Sequence, residues 1–131
     1  MKTIEELRAN LLKIGEQLGG GIRPNYYFTI PDQSDGVGTP YLEIGGEVYH
    51  FVASERGIEF NRKSTLDYED VLYWFTDDGV RALASEYAAS NKNSNEEFRI
   101  LYFRKQFYLM LSVKPEWATR KKNEIKQILI S

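Results

Sequence analysis

The side chains in this sequence that are able to do chemistry are few. Cysteine is missing, which removes thiol catalysis, disulfides and cysteine-based zinc sites. His50 is the single histidine and stands between Tyr49 and Phe51 in a strand-like run. A transition-metal site needs three or four good ligands, so one histidine without cysteine points to a hydrogen-bonded structural role. A Ser-His-acid triad needs His50 beside an activated serine, and the chain has no Gly-x-Ser-x-Gly elbow. Paired carboxylates remain. Glu55, Glu59, Glu69, Asp70, Asp77, Asp78 and Glu86 are available for acid-base work. Nothing in their spacing brings two of them together, and the adjacent Asp77 and Asp78 point different ways on a helix. The sequence therefore reads as non-enzymatic, with no cofactor and no metal.

Charge suggests binding instead. The formal net charge is −2, but residues 31–97 hold 14 acidic and 5 basic side chains. Such a segment repels nucleic acid and speeds capture of a basic protein, such as a nuclease domain. Residues 92–131 run the other way, with 9 basic and 4 acidic side chains. Arg104-Lys105 and Arg120-Lys121-Lys122, with Tyr102 and Tyr108 nearby, offer charge and stacking faces for nucleic acid. The overall pI near 5.5 and the interspersed Glu116 and Glu124 argue against that use. The Asp32-Gln33-Ser34-Asp35-Gly36 run has a faint likeness to a calcium loop, but no Glu closes it at the twelfth position, so it reads as a surface turn.

Glu86 and Arg99 adjoin apolar positions of their helices. A charge held in such a place must be paired. A network of Glu86, Arg99 and Gln106 tying the central helices together is the expectation.

The elements that position these residues follow from periodicity. Ile4, Leu7, Leu11, Ile14 and Leu18 define an amphipathic helix over Thr3 to Leu18, stopped by Gly19-Gly20-Gly21 through a left-handed cap. Tyr26 to Ile30 suits a strand ended by Pro31. An antiparallel meander follows, with Tyr41 to Ile44, a Gly45-Gly46 turn, Val48 to Glu55, an Arg56-Gly57 turn and Ile58 to Arg62. Ser64-Thr65-Leu66-Asp67 caps a helix whose buried face is Val71, Leu72, Phe75, Leu83, Ala84, Tyr87 and Ala88, with Thr76-Asp77-Asp78-Gly79 expected to kink or split it. Ser94-Asn95-Glu96-Glu97 is a capping box for a helix carrying Phe98, Leu101, Tyr102, Leu109 and Met110 inward. Pro115 opens a last helix anchored by Trp117, Ile125 and Ile128 or Leu129. The predicted fold is α+β over one domain, residues 1–131: an N-terminal helix, a small antiparallel meander, then three helices packed on the sheet.

Three blocks carry a resemblance to a known family. Val48-Tyr49-His50-Phe51-Val52 leads to Glu55-Arg56-Gly57. Leu72-Tyr73-Trp74-Phe75 is followed by Ala84-Ser85-Glu86-Tyr87. Phe98-Arg99 precedes Phe103, Gln106 and Leu109, then Pro115-Glu116-Trp117 and Arg120. In order and spacing they resemble the immunity protein 63 family of bacterial polymorphic toxin systems. Asp77-Asp78-Gly79 departs from that pattern by its charge, and Tyr102 and Tyr108 add aromatics to the third block.

The resemblance implies a stoichiometric inhibitor, made beside its toxin, that occludes the cognate toxin C-terminal domain and protects the producing cell in contact-dependent competition. Candidate partner-binding residues are Glu55, Glu59, Tyr68, Glu69, Asp70, Tyr73, Trp74, Asp77 and Asp78, while Trp117 reads as core. The alternative is a non-catalytic adaptor or nucleic-acid-associated α+β domain. No apolar signal core opens the sequence and no run reaches the ~20 residues of a membrane helix, so a soluble cytoplasmic protein without a membrane partner is expected.

Overall fold

A computed structural model describes residues 1–19, 27–93 and 95–131, with residues 95 and 96 described for backbone alone. The fold is α+β. Helix α1 (Ile4–Leu18) precedes strands β1 (Tyr41–Gly45), β2 (Val48–Glu55) and β3 (Ile58–Thr65), then helices α2 (Tyr68–Asn91), α3 (Asn95–Val113) and α4 (Pro115–Ile130). The chain forms two compact units, Met1–Asp78 and Gly79–Ser131. The first carries 14 acidic and 7 basic side chains, the second 5 and 10.

In the first unit the strands lie antiparallel in the order β1-β2-β3. Thr3 caps α1, its hydroxyl accepting from the Glu6 N–H at 3.2 Å. Leu7 and Leu11 of α1 are fully buried. The central strand is buried on both faces, with Tyr49, Phe51 and Ala53 alternating with Val52 and Ser54. The opening turns of α2 cover the Tyr49–Phe51 side. Phe51 lies 4.8 Å from Phe75 and 6.2 Å from Trp74 between ring centres, and Tyr49 meets Tyr68 edge-on at 6.2 Å. Phe28 and Ile30 complete this core.

In the second unit Val80, Ala84 and Ala88 of α2 are buried, as are Leu109 and Met110 of α3 and Trp117 and Ala118 of α4. Helices α3 and α4 form an antiparallel pair. Lys114 alone links them, and Pro115 takes the first turn of α4, where its missing N–H costs nothing.

Several elements differ from the sequence reading. Residues 28–30 form no strand; Phe28 and Ile30 are buried from a loop, so apolar content there signals core rather than ladder. Tyr26, Gly20, Gly21 and the cap residue Ser94 lie outside the described residues. Gly19 ends α1 at φ −79°, in the right-handed region. The first hairpin turns on Gly46-Glu47, with Gly45 and Val48 paired, because Gly46 takes the positive φ (62°). Strand β3 runs on to Thr65, absorbing two of the expected cap residues. Helix α2 is unbroken through Asp77-Asp78-Gly79; buried Val80 just beyond shows tertiary packing outweighing a local helix cost of about 1 kcal/mol. Tyr87 is 41% exposed, and Ile128 and Leu129 are half exposed, so none of the three anchors a core.

Candidate partner-binding surface

The end of the β2–β3 hairpin brings together three strongly exposed apolar side chains of the first unit, Val37, Ile58 and Phe60. The turn at Arg56-Gly57 places both residues at positive φ (52° and 80°), the signature of a tight two-residue hairpin. Two residues earlier the ladder slips: Ala53 pairs with Asn61 but Ser54 with Glu59, so Phe60 has no partner across the strand. This bulge turns the Phe60 ring out, 61% exposed. Ile58 beside it is 71% exposed, and Val37, bridged to Glu55 on the opposite side of β2, is 75% exposed.

The loop that carries Val37 is fixed by its own polar groups. The Asp35 carboxylate accepts from the Val37 N–H at 2.9 Å, the Thr39 N–H at 3.3 Å and the Thr39 hydroxyl. The Thr39 hydroxyl, then the Val37 amide, hold the Asp35 carboxyl below its usual value. Gly38 N–H donates to the Ser54 carbonyl and Arg56 N–H to that of Gly36, both at 3.0 Å, which clamps the loop to β2. Gly38 sits at φ 92°, and the Phe60 ring lies over it. Asp35 is thus occupied by its own loop, as a surface turn requires.

Carboxylates rim this apolar centre. Glu55 is exposed between Val37 and Ile58. Glu59 receives both Arg62 Nε and Nη2, at 3.0 and 2.7 Å, and Arg62 Nη2 also reaches Glu43 at 3.0 Å. The guanidinium hydrogen bonds draw the Glu59 carboxyl below its usual value and raise the arginine. Among Asp35, Glu43, Glu55, Glu59, Arg56 and Arg62 the balance is two negative charges. An open cleft of about 910 Å³ adjoins the loop, with Thr29, Pro31, Val37, Thr39 and Asp78 among its walls, and this brings Asp78 to the same region.

The other expected residues cluster at the start of α2. Tyr68 is half-buried; its hydroxyl accepts from Asn10 Nδ2 at 2.6 Å and its ring faces Lys2 Nζ at 5.2 Å. Glu69 is exposed. Asp70 is half-buried and accepts from the Thr65 hydroxyl at 2.9 Å. Trp74 is half-buried with Lys63 Nζ 5.6 Å from its ring. Asp77 is half-buried. Tyr73 is 1% exposed and is a core residue, because its position on the helix turns it inward between Leu72 and Thr76. The missed residues are Val37, Ile58 and Phe60. Their apolar type suggested packing, and only the ladder slip at Phe60 and the bridge at Val37 expose them.

On the sheet face that carries Val52 and Ser54, Glu43, His50 and Ser64 stand in one cross-strand row. His50 Nδ1 lies 2.6 Å from Ser64 Oγ. The Glu43 carboxylate turns to Arg62 rather than to the imidazole, so the row lacks the acid–histidine bond that orients a triad. Among the described residues no group of three or more His, Cys, Asp or Glu is placed to hold a metal. No described helix is long and apolar enough to cross a membrane.

In the second unit Glu86 and Arg99 lie on exposed faces, and Arg99 rests over the Phe103 ring at 5.8 Å. Gln106 is 2% exposed, and its Nε2 has no hydrogen-bond partner among the described residues. Glu86 and Arg99 therefore lie in water, where a charge is cheaper to keep, rather than at the half-buried positions expected, and Gln106 alone of the three is buried. The basic side chains weighed above for nucleic acid are also partly spent. Lys105 sits 4.6 Å over Tyr87, Lys121 is buried 3.0 Å from Glu124, and Arg120 lies 3.8 Å from the same carboxylate.

Against this geometry, the family model of immunity protein 63 matches residues 45–127, more than half of the chain. That stretch runs from the end of β1 through β2, β3, α2 and α3 and most of α4. No curated protein and no solved structure matches the chain.

Proposed function

This chain belongs to the immunity protein 63 family, and on that premise we propose that it binds a cognate bacterial toxin domain and neutralises it by stoichiometric occlusion. Family membership is the observation that carries this reading. Occlusion needs a preformed surface rather than reacting groups, and it is consistent with a chain that has no cysteine. The hairpin end suits such a surface. It has an apolar centre of Val37, Ile58 and Phe60 and a polar rim with Glu55 and Glu59, which is the anatomy of a protein interface. Fully burying each of those side chains is worth roughly 1.5–3 kcal/mol.

The partner this surface favours is a basic toxin C-terminal domain, such as a nuclease-type domain, met in the cytoplasm of the producing cell. The exposed Glu69 and the half-buried Tyr68, Asp70, Trp74, Asp77 and Asp78 extend the acidic contact area toward the ~1,600 Å² of a stable complex.

Growth rescue tests this function. The toxin domain encoded beside this gene is expressed alone and together with this chain. Growth arrest by the toxin alone and full growth with the pair is the expected result. Arrest in both cases overturns the proposal.

A further inference from the structure

We propose that the groove between α3 and α4 docks an acidic amphipathic helix of another protein, through a surface separate from the acidic one above. The groove holds about 380 Å³ and its apolar floor is Phe103, Phe107 and Ile125. Its rim is Arg104, Lys122 and Lys126. These three cations make no ion pair among the described residues, whereas Arg120 and Lys121 of the same helix are tied to Glu124. Among the described residues no carboxylate lines the groove. Its chemistry therefore asks for apolar anchors flanked by carboxylates.

The shape favours a helix as the bearer of those groups. One turn before Arg104 along α3 stands Ile100, 52% exposed, and one turn beyond Ile125 along α4 stands Leu129, 54% exposed. The helices are antiparallel, so both additions lengthen the groove at the same end. From Ile100 to Tyr108 the apolar stripe covers about 12 Å at the helical rise, room for two turns of a partner helix. Apolar anchors at three- and four-residue spacing enter such a groove while the flanking positions carry charge.

Nucleic acid fits less well. Stacking requires open ring faces. Phe103 is already covered by Arg99 and lies 5.4 Å from Tyr102, and Phe107 meets Tyr108 edge-on at 5.5 Å.

The test uses fluorescence anisotropy with the full chain and a labelled synthetic helix about five turns long, with Leu and Trp on one face and Glu on the other. Its Lys-for-Glu counterpart, a single-stranded oligonucleotide and phosphatidylglycerol vesicles are the comparisons. The acidic helix is expected to bind and the basic one not. Phe107→Ala is expected to weaken binding about tenfold or more. Lys122→Glu with Lys126→Glu, both at exposed positions and harmless to the fold, is expected to abolish it and to admit the basic helix. Failure of the acidic helix to bind overturns the proposal, as does binding that survives the charge reversal. Tighter binding of the oligonucleotide or the vesicles overturns it in favour of those surfaces. Growth rescue does not enter this assay, so the two proposals fail separately.

Discussion

Thr76 is fully buried in α2, and its hydroxyl has no hydrogen-bond partner among the described residues. A buried hydroxyl in that state costs roughly 1–3 kcal/mol. Thr76→Val keeps the shape and removes the polar atom, so it is expected to raise stability by about 1 kcal/mol in urea unfolding; a loss of stability would mean that the hydroxyl is satisfied. Asp35 illustrates the opposite case, an exposed polar group with several partners. Its carboxyl titrates below the ordinary value because the Thr39 hydroxyl and the Val37 amide bind its charged form. The stabilising contribution is therefore complete above the unfolded carboxyl's range and disappears as pH falls through the lower folded value. Carbon-13 NMR of the Asp35 carboxyl should show the depressed titration. Asp35→Asn should speed amide exchange at Val37 and Thr39. Ordinary titration, or unchanged exchange, would remove Asp35 as the organiser of the loop that presents Val37.

The elements show where local signals suffice and where they do not. Helix α1 was legible because its apolar residues keep one face and Thr3 caps it. The meander was legible from alternation and glycine turns, although the first turn shifted by one residue, since either glycine of the Gly45-Gly46 pair suits it. Phe28 was not placed correctly because burial from a loop has no period. Its seat depends on Gly15 in α1. A Cβ added at Gly15 would lie 2.8 Å from Phe28 Cβ and Cγ. Gly15→Ala, normally favourable in a helix, is therefore expected to destabilise the first unit by about 1–3 kcal/mol through overpacking. Thermal unfolding checks this; a stabilised variant would show that the Phe28 loop yields freely. The candidate surface was half legible. Glu55 and Glu59 were named as candidates from charge, but Ile58 and Phe60 were read as an ordinary strand face. A ladder slip depends on cross-strand pairing that a single strand's sequence does not contain.

Across the whole molecule the charge is segregated. The first unit has an excess of seven acidic side chains and the second an excess of five basic ones. A basic toxin would approach the first unit under attraction, so association should slow as salt rises, while the apolar centre fixes the dissociation rate. Both Ile58 and Phe60 stand in water, and replacing them leaves the fold within about 0.5 kcal/mol. They are therefore clean probes of the interface. The most direct measurement is titration calorimetry of the purified neighbouring toxin domain into this chain, wild type and Ile58→Asp/Phe60→Asp. One toxin bound per wild-type chain, with affinity falling at least a hundredfold in the variant, about 2.7 kcal/mol, is the predicted result. No binding by the wild-type chain would contradict the inhibitory role. Equal binding by both would move the interface away from the hairpin end.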